Sequence, residues 1–266
     1  MDQGKITKIK NAVLGNFEQS PVHYQSFEDR HGFFRRLNEA LLSGMTLRAD
    51  ADILDVGCGT GASCLQLLEA MPECRVWGLD LSPAMLDAAR SRIDERERLS
   101  LVEGDGAKLS DYFTCRFDAI IYSASIFLIP DFQHSLRHAH DLLKKDGKIG
   151  LTFMDGLYDP AGNNLLEIAD RRAKEGVSLR KPVNWPEFQS FFAGMFPRHK
   201  SWKEDFRLPK DLLCEFFSVP AMSAGLFPGT EYSARVTKVA RLLEHLPQGE
   251  TLFRWSLMVG ERSESV

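Results

Sequence analysis

The chain has 266 residues, 44% of them hydrophobic, and a formal net charge of −4. That is ample apolar material for one large α/β domain with insertions, and the acidic balance provides no global basic field to hold nucleic acid phosphates. The cysteines (Cys58, Cys64, Cys74, Cys115 and Cys214) are odd in number and lack C-x-x-C spacing, which argues against a disulfide framework and against a zinc site.

Residues 1–48 are helical in tendency and read as an N-terminal helical cap. Phe27, Phe34, Leu37 and Leu41 recur at steps that mark one apolar helix face, and Gly44 offers a stop. Met1–Lys10 is polar and basic with no apolar signal core after it, and no later run approaches membrane-spanning length. A cytoplasmic protein without membrane insertion is expected, in keeping with reduced cysteines.

Ile53-Leu-Asp-Val-Gly-Cys-Gly-Thr-Gly61 begins as a buried parallel strand and breaks into glycines at alternate positions. A helix from Ala62 to Ala70 follows. Glycines let the backbone turn sharply and let a ligand approach without a Cβ in the way, and the helix behind them offers free N–H groups and a positive dipole end. A second strand, Arg75–Leu79, delivers Asp80, and a carboxylate at that place can accept both hydroxyls of a ribose. The stretch predicts a nucleoside-bearing cofactor. Gly57, Gly59 and Ala62 also satisfy G-x-G-x-x-G/A, so a nicotinamide or flavin enzyme stays open at this point. Against it, Asp55 would meet a pyrophosphate with like charge, whereas it would attract an α-ammonium.

Asp55-Val-Gly-Cys-Gly-Thr-Gly61 together with Asp80 resembles the first motif and the acidic ribose-binding residue of the class I S-adenosylmethionine-dependent methyltransferases. It is most similar to their small-molecule branch, which includes the ubiquinone/menaquinone type. The resemblance implies a Rossmann-like, doubly wound, mostly parallel sheet of seven strands with an antiparallel last strand. It covers roughly residues 50–155 and makes S-adenosyl-L-methionine the expected cofactor, with S-adenosyl-L-homocysteine as product.

Further along, Ser82-Pro83 opens a helix with Met85, Leu86 and Ala89 on its apolar side. Leu81 and Met85 are placed to flank an adenine. Strand three, Leu99–Gly104, delivers Asp105-Gly106-Ala107, where the resemblance implies an acid for the adenine amino group and a backbone N–H for the ring. Strand four, Phe117–Ser123, ends in Ser123-Ala-Ser-Ile, a position the family uses for the methionine part of the donor. An aromatic such as Tyr24 can touch that methionine end from the N-terminal segment. The expected cofactor-binding set is therefore Tyr24, Asp55, Gly57, Cys58, Gly59, Gly61, Asp80, Leu81, Met85, Asp105, Gly106, Ala107 and Ser123.

A helix over 132–145, closed by Asp146-Gly147, leads to strand five at Lys148–Met154. Its histidines (His134, His138 and His140) have no cysteine or carboxylate cluster beside them, and no metal is expected. Helices are expected over 163–174 and around Trp185, Phe188, Phe192 and Met195, with strand six at His199–Leu208 and a final strand at Thr251–Val259. Between them, 209–248 is rich in Phe, Met, Pro and Gly and reads as a helical insertion, a substrate lid in a methyltransferase domain spanning 49–266. No Asn/Asp-Pro-Pro-Tyr/Phe motif follows strand four. The catalytic residues stay unassigned; Tyr122, His23 and His134 are the candidates should a base be needed. A small-molecule acceptor is expected, with an NAD(P)-dependent oxidoreductase and a non-catalytic S-adenosylmethionine-binding module as the alternatives.

Overall fold

The computed structural model of the chain describes residues 2–94, 97–178 and 182–263. Its centre is a sheet of seven strands in the order β3-β2-β1-β4-β5-β7-β6. Strands β1 (Asp52–Val56), β2 (Arg75–Asp80), β3 (Leu99–Glu103), β4 (Phe117–Tyr122) and β5 (Leu143–Tyr158) run parallel. Strand β7 (Leu252–Glu261) enters antiparallel between β5 and β6 (Arg198–Arg207). The parallel strands read as nearly continuous apolar runs because helices cover the sheet, and Ile53, Leu54, Val56, Ala119, Ile120 and Ile121 are all fully buried. Strand order reverses between β1 and β4. That opens a crevice outside the carboxyl ends of the strands, where ligands bind in open α/β sheets.

Three helices precede the sheet: α1 (Gln3–Glu18), α2 (Pro21–His31) and α3 (Phe33–Ser43). The apolar face expected on 27–41 is buried at Phe27, Phe34, Leu37 and Leu41, and α3 packs on β5 and β7. The buried Glu28 carboxylate accepts the N–H groups of Phe34 and Arg35, both at 2.9 Å, and so satisfies donors that the left-handed Gly32 cannot. Helix α1 differs in kind. It buries no residue fully, and polar contacts tether it. Lys10 pairs with Asp105 at 2.9 Å, and Asn16 accepts from Arg235 at 3.0 Å. Glu18 accepts from Ser82 Oγ and from the N–H of Ala84.

Helices α4 (Ala62–Ala70), α5 (Pro83–Arg92) and α6 (Phe132–Leu142) make the first crossovers, and α7 (Leu165–Ala173) and α8 (Trp185–Met195) follow β5. The helix expected to run to residue 145 stops at Leu142. Leu143 already pairs with Phe117 of β4, and Asp146 takes a positive φ within an irregular start to β5. Strand β5 also continues past Met154 to Tyr158, with a bulge between Met154 and Gly156. The 209–248 insertion folds into α9 (Lys210–Ser218), α10 (Pro220–Leu226) and α11 (Tyr232–Glu244), which pack on one another and against α1 and α7. No helix among the described residues is long and apolar enough to cross a membrane.

Candidate functional site

A cavity opens at the crevice between β1 and β4. The carboxyl ends of four strands form its floor: Val56, Gly57 and Gly59 after β1, Asp80 and Leu81 after β2, Asp105 and Ala107 after β3, and Ser123 to Ser125 after β4. Ile6, Lys10, Val13 and Phe17 of α1, with Tyr24 and Met222, close its roof and side.

The turn after β1 is held open by its glycines. Gly57, Gly59 and Gly61 have φ of +78°, +55° and +77°, where a Cβ is unfavourable. At Gly57 a Cβ would also lie 2.5 Å from that of Ser125, whereas at Gly59 it would meet nothing within 4 Å, which leaves bare backbone facing open space. The N–H groups of Gly57 and Cys58 both donate to Leu79 O, which ties the turn to β2.

Asp80 joins the turn to the next strand end. Its Oδ2 accepts from Gly59 N at 2.8 Å and its Oδ1 from Ser82 N at 2.9 Å. Burial pushes its carboxyl above the usual range, while those N–H groups pull it back. An ionised carboxylate has about four acceptor positions, so roughly two remain beyond the backbone bonds. Asp105 is similarly braced: Oδ1 accepts Ala107 N at 3.0 Å, while Oδ2 meets the Lys10 ammonium.

Not every expected residue faces the cavity. Of the set named from sequence, Tyr24, Gly57, Gly59, Asp80, Leu81, Asp105, Gly106, Ala107 and Ser123 line it. Met85 does not; it is fully buried on α5, its N–H donating to Ser82 Oγ, because the apolar face of that helix points into the core. Gly61 serves packing, since a Cβ there would lie 2.7 Å from Ile93 Cδ1 and 3.2 Å from Ala89 Cβ of the adjoining helix. Cys58 and Asp55 sit behind the turn. Asp55 is fully buried, with Ser63 Oγ and Cys64 Sγ donating to Oδ2 and with Oδ1 unpartnered among the described residues. Burial raises its carboxyl to about 7. The Cys58 thiol is pushed well up by its hydrogen bond to Cys64 and by burial, so it stays a thiol.

The three candidate bases are elsewhere. Tyr122 is fully buried, hydrogen-bonded to Ser135 Oγ at 2.8 Å, and burial raises its hydroxyl. His23 is exposed, edge-on to Tyr232, and His134 is an exposed partner of Asp131 at 2.8 Å. Among the described residues no group of three or more His, Cys, Asp or Glu is disposed to hold a metal. Tyr24 of the N-terminal segment is the residue expected at the donor's methionine end; the α1 face that adds Ile6, Lys10 and Val13 to the roof was not named with it. Its signal was there to find, because Ile6, Lys10, Val13 and Phe17 are spaced as one face of a helix.

The chain also resembles known proteins in sequence and in fold. A sequence profile described as a methyltransferase domain matches residues 53–147. Residues 53–147 are a methyltransferase domain. Its curated relatives include the trans-aconitate 2-methyltransferase of Enterobacter sp. (strain 638), 33% identical over 129 residues, or 48% of this chain and 49% of that one. The nocamycin O-methyltransferase of Saccharothrix syringae is 36% identical over 123 residues, 45% of this chain and 44% of that one. The chain thus spans about half the length of these relatives. Among solved structures, the YcgJ protein of Bacillus subtilis superposes with a TM-score of 0.61 at 19% identity, covering 87% of this chain and all (100%) of that one. The [4+2]-cyclase SpnF superposes at 0.56 and 18% identity, over 86% of this chain and 81% of that one. These structures share the fold of the methyltransferase domain, and the cyclase among them shows that the fold alone does not dictate the reaction.

Proposed function

We propose that this chain binds S-adenosylmethionine in the cavity beneath α1 and transfers its methyl group to a small-molecule acceptor. The observation that carries the reading is Asp80, held by the N–H groups of Gly59 and Ser82 at the tip of β2, with acceptor capacity left over beside a bare glycine turn. A ribose presents two hydroxyls to such a carboxylate, and an amino-acid tail can lie along backbone that has no side chain in the way. The fit extends to the ends of the ligand. Leu81 and Ile129 give apolar walls for a flat ring, and Asp105 can receive an amino group once Lys10 yields its place.

Bound there, S-adenosylmethionine supplies a methyl group already activated by its positive sulfur. The protein's own work is then to orient and to exclude water. Helix α1 and Met222 form the cover, and α9 to α11 the lid beyond it. Asp55 acts from behind the turn, through its hold on Ser63 and Cys64, rather than as a cavity wall. No side chain at the cavity is assigned as a base.

Turnover decides between enzyme and binding module. Incubation with S-adenosylmethionine and a metabolite panel should release S-adenosylhomocysteine with at least one acceptor. A melting-point shift with NAD(P), and none with S-adenosylmethionine or S-adenosylhomocysteine, would overturn the reading, because only a ligand of the native state raises its stability.

A further inference from the structure

A second cavity of about 150 Å³ shares Phe17, Ala124, Leu128 and Met222 with the first. Its walls are largely aromatic and aliphatic, including Phe34, Phe127, Phe216, Phe217 and Leu226. Two polar groups interrupt them. Asp155 is the extra residue of the β5 bulge, since Met154 pairs with Trp255 and Gly156 with Arg254. Bulges re-aim side chains next to active sites. Asp155 lines both this cavity and an open groove beside it, and Ser256 Oγ donates to its Oδ2 at 2.8 Å. Trp255, on the facing strand, is 1% exposed, and its Nε1–H meets no acceptor among the described residues. A buried donor left without a partner is costly, so this one calls for an oxygen to bond.

We infer that this chamber is the acceptor site, and that it takes an uncharged, mainly apolar or aromatic molecule whose hydroxyl is received by Asp155 and whose second oxygen accepts from Trp255. The inference rests on the neighbouring cavity holding the sulfonium donor, and it deepens that reading by naming the acceptor's class. A carboxylate has room for several hydrogen bonds, so Asp155 can serve the ligand while keeping Ser256. An acceptor carboxylate would be desolvated against phenyl and alkyl walls and, among the described lining residues, would find an acid as the only ionisable group. The shared wall at Ala124 and Leu128 puts the chamber next to the donor end of the crevice. The open groove at Asp155 supplies an entrance.

The test uses full-length protein saturated with S-adenosylhomocysteine and matched neutral and anionic ligands: para-hydroxybenzoic and coumaric acids against their methyl esters, with simple alkylphenols. The esters and alkylphenols should raise the melting point further, and the free acids should bind at least about tenfold more weakly. Asp155→Asn and Trp255→Phe should each weaken the esters about tenfold, the usual cost of one such hydrogen bond, while the S-adenosylhomocysteine shift stays at the wild-type value. Acids binding as well as esters, no binding by any neutral member, or both variants binding esters normally would overturn the proposal. If S-adenosylhomocysteine itself gave no shift in the wild type, the donor reading would be what failed.

Discussion

Replacing Asp80 by alanine separates a ribose ligand from a turn brace. In the structure its oxygens accept the Gly59 and Ser82 N–H groups at 2.8 and 2.9 Å, which leaves about two acceptor positions for ribose hydroxyls. Hydrogen bonds to a charged group contribute ~1.5–3 kcal/mol each, so the loss of two weakens S-adenosylhomocysteine by ~3–6 kcal/mol, or about 10²- to 10⁴-fold in Kd. The same change leaves two backbone donors to find water, so the ligand-free protein also loses ~1–3 kcal/mol of stability. Isothermal titration of wild type and variant with S-adenosylhomocysteine reads the first number, and thermal unfolding without ligand reads the second. A titration with methionine, which has no ribose, serves as control and should change little. A variant that melts lower yet binds S-adenosylhomocysteine within about threefold of wild type would refute the reasoning, because Asp80 would then be a brace alone.

Other outcomes follow from the same geometry. Gly57→Ala should abolish S-adenosylhomocysteine binding and lower the melting point, since the position needs φ +78° and its Cβ would lie 2.5 Å from that of Ser125; a variant with wild-type affinity would contradict this. Asp55 has its carboxyl raised to about 7 by burial, against about 4 in the unfolded chain, so the folded protein holds a proton that the unfolded chain has released. Its contribution is therefore complete below about pH 4 and is lost as pH rises toward 7. The loss amounts to a few kcal/mol, because each tenfold change in an acid's ionisation constant corresponds to ~1.4 kcal/mol. Melting curves of wild type and Asp55→Asn over that range should converge in slope only above neutrality, and parallel curves throughout would count against it. Lys10→Met should change stability by less than ~1 kcal/mol, because the lysine is part-exposed at 34%. It should nevertheless speed hydrogen exchange in the first half of α1, where the Lys10–Asp105 pair is the polar tether. Unaltered exchange there would show that apolar contacts hold the cover.

The sheet was legible because its strands are buried runs ended by glycine and acid, and both Asp80 and Asp105 lie where strand ends meet the crevice. Residue-by-residue function was less so. Met85 carries the same sequence signal whether it faces an adenine or the core, and only the rotation of α5 decides. Asp55 precedes the turn, yet β1 directs its side chain behind the glycines toward Ser63. The start of β5 was misplaced because Asp146-Gly147 looks like a helix stop, while the pairing of Leu143 with Phe117 is set by a distant strand. How α1 is held over the cavity was hidden for a related reason. Helix α1 buries nothing fully, and its tethers reach from Lys10 to Asp105 and from Glu18 to Ser82, separations that no local pattern encodes. The bulge that sets Asp155 between two cavities leaves no mark in the sequence beyond a glycine at 156.

A crystal of the protein grown with S-adenosylhomocysteine tests the central claim most directly. The account predicts the ribose hydroxyls on Asp80, the amino-acid tail along Gly57 and Gly59, and the sulfur turned toward Ser123, Ala124 and the second cavity. Density for the ligand at any other place, or a crevice left empty at saturating concentration, would contradict it.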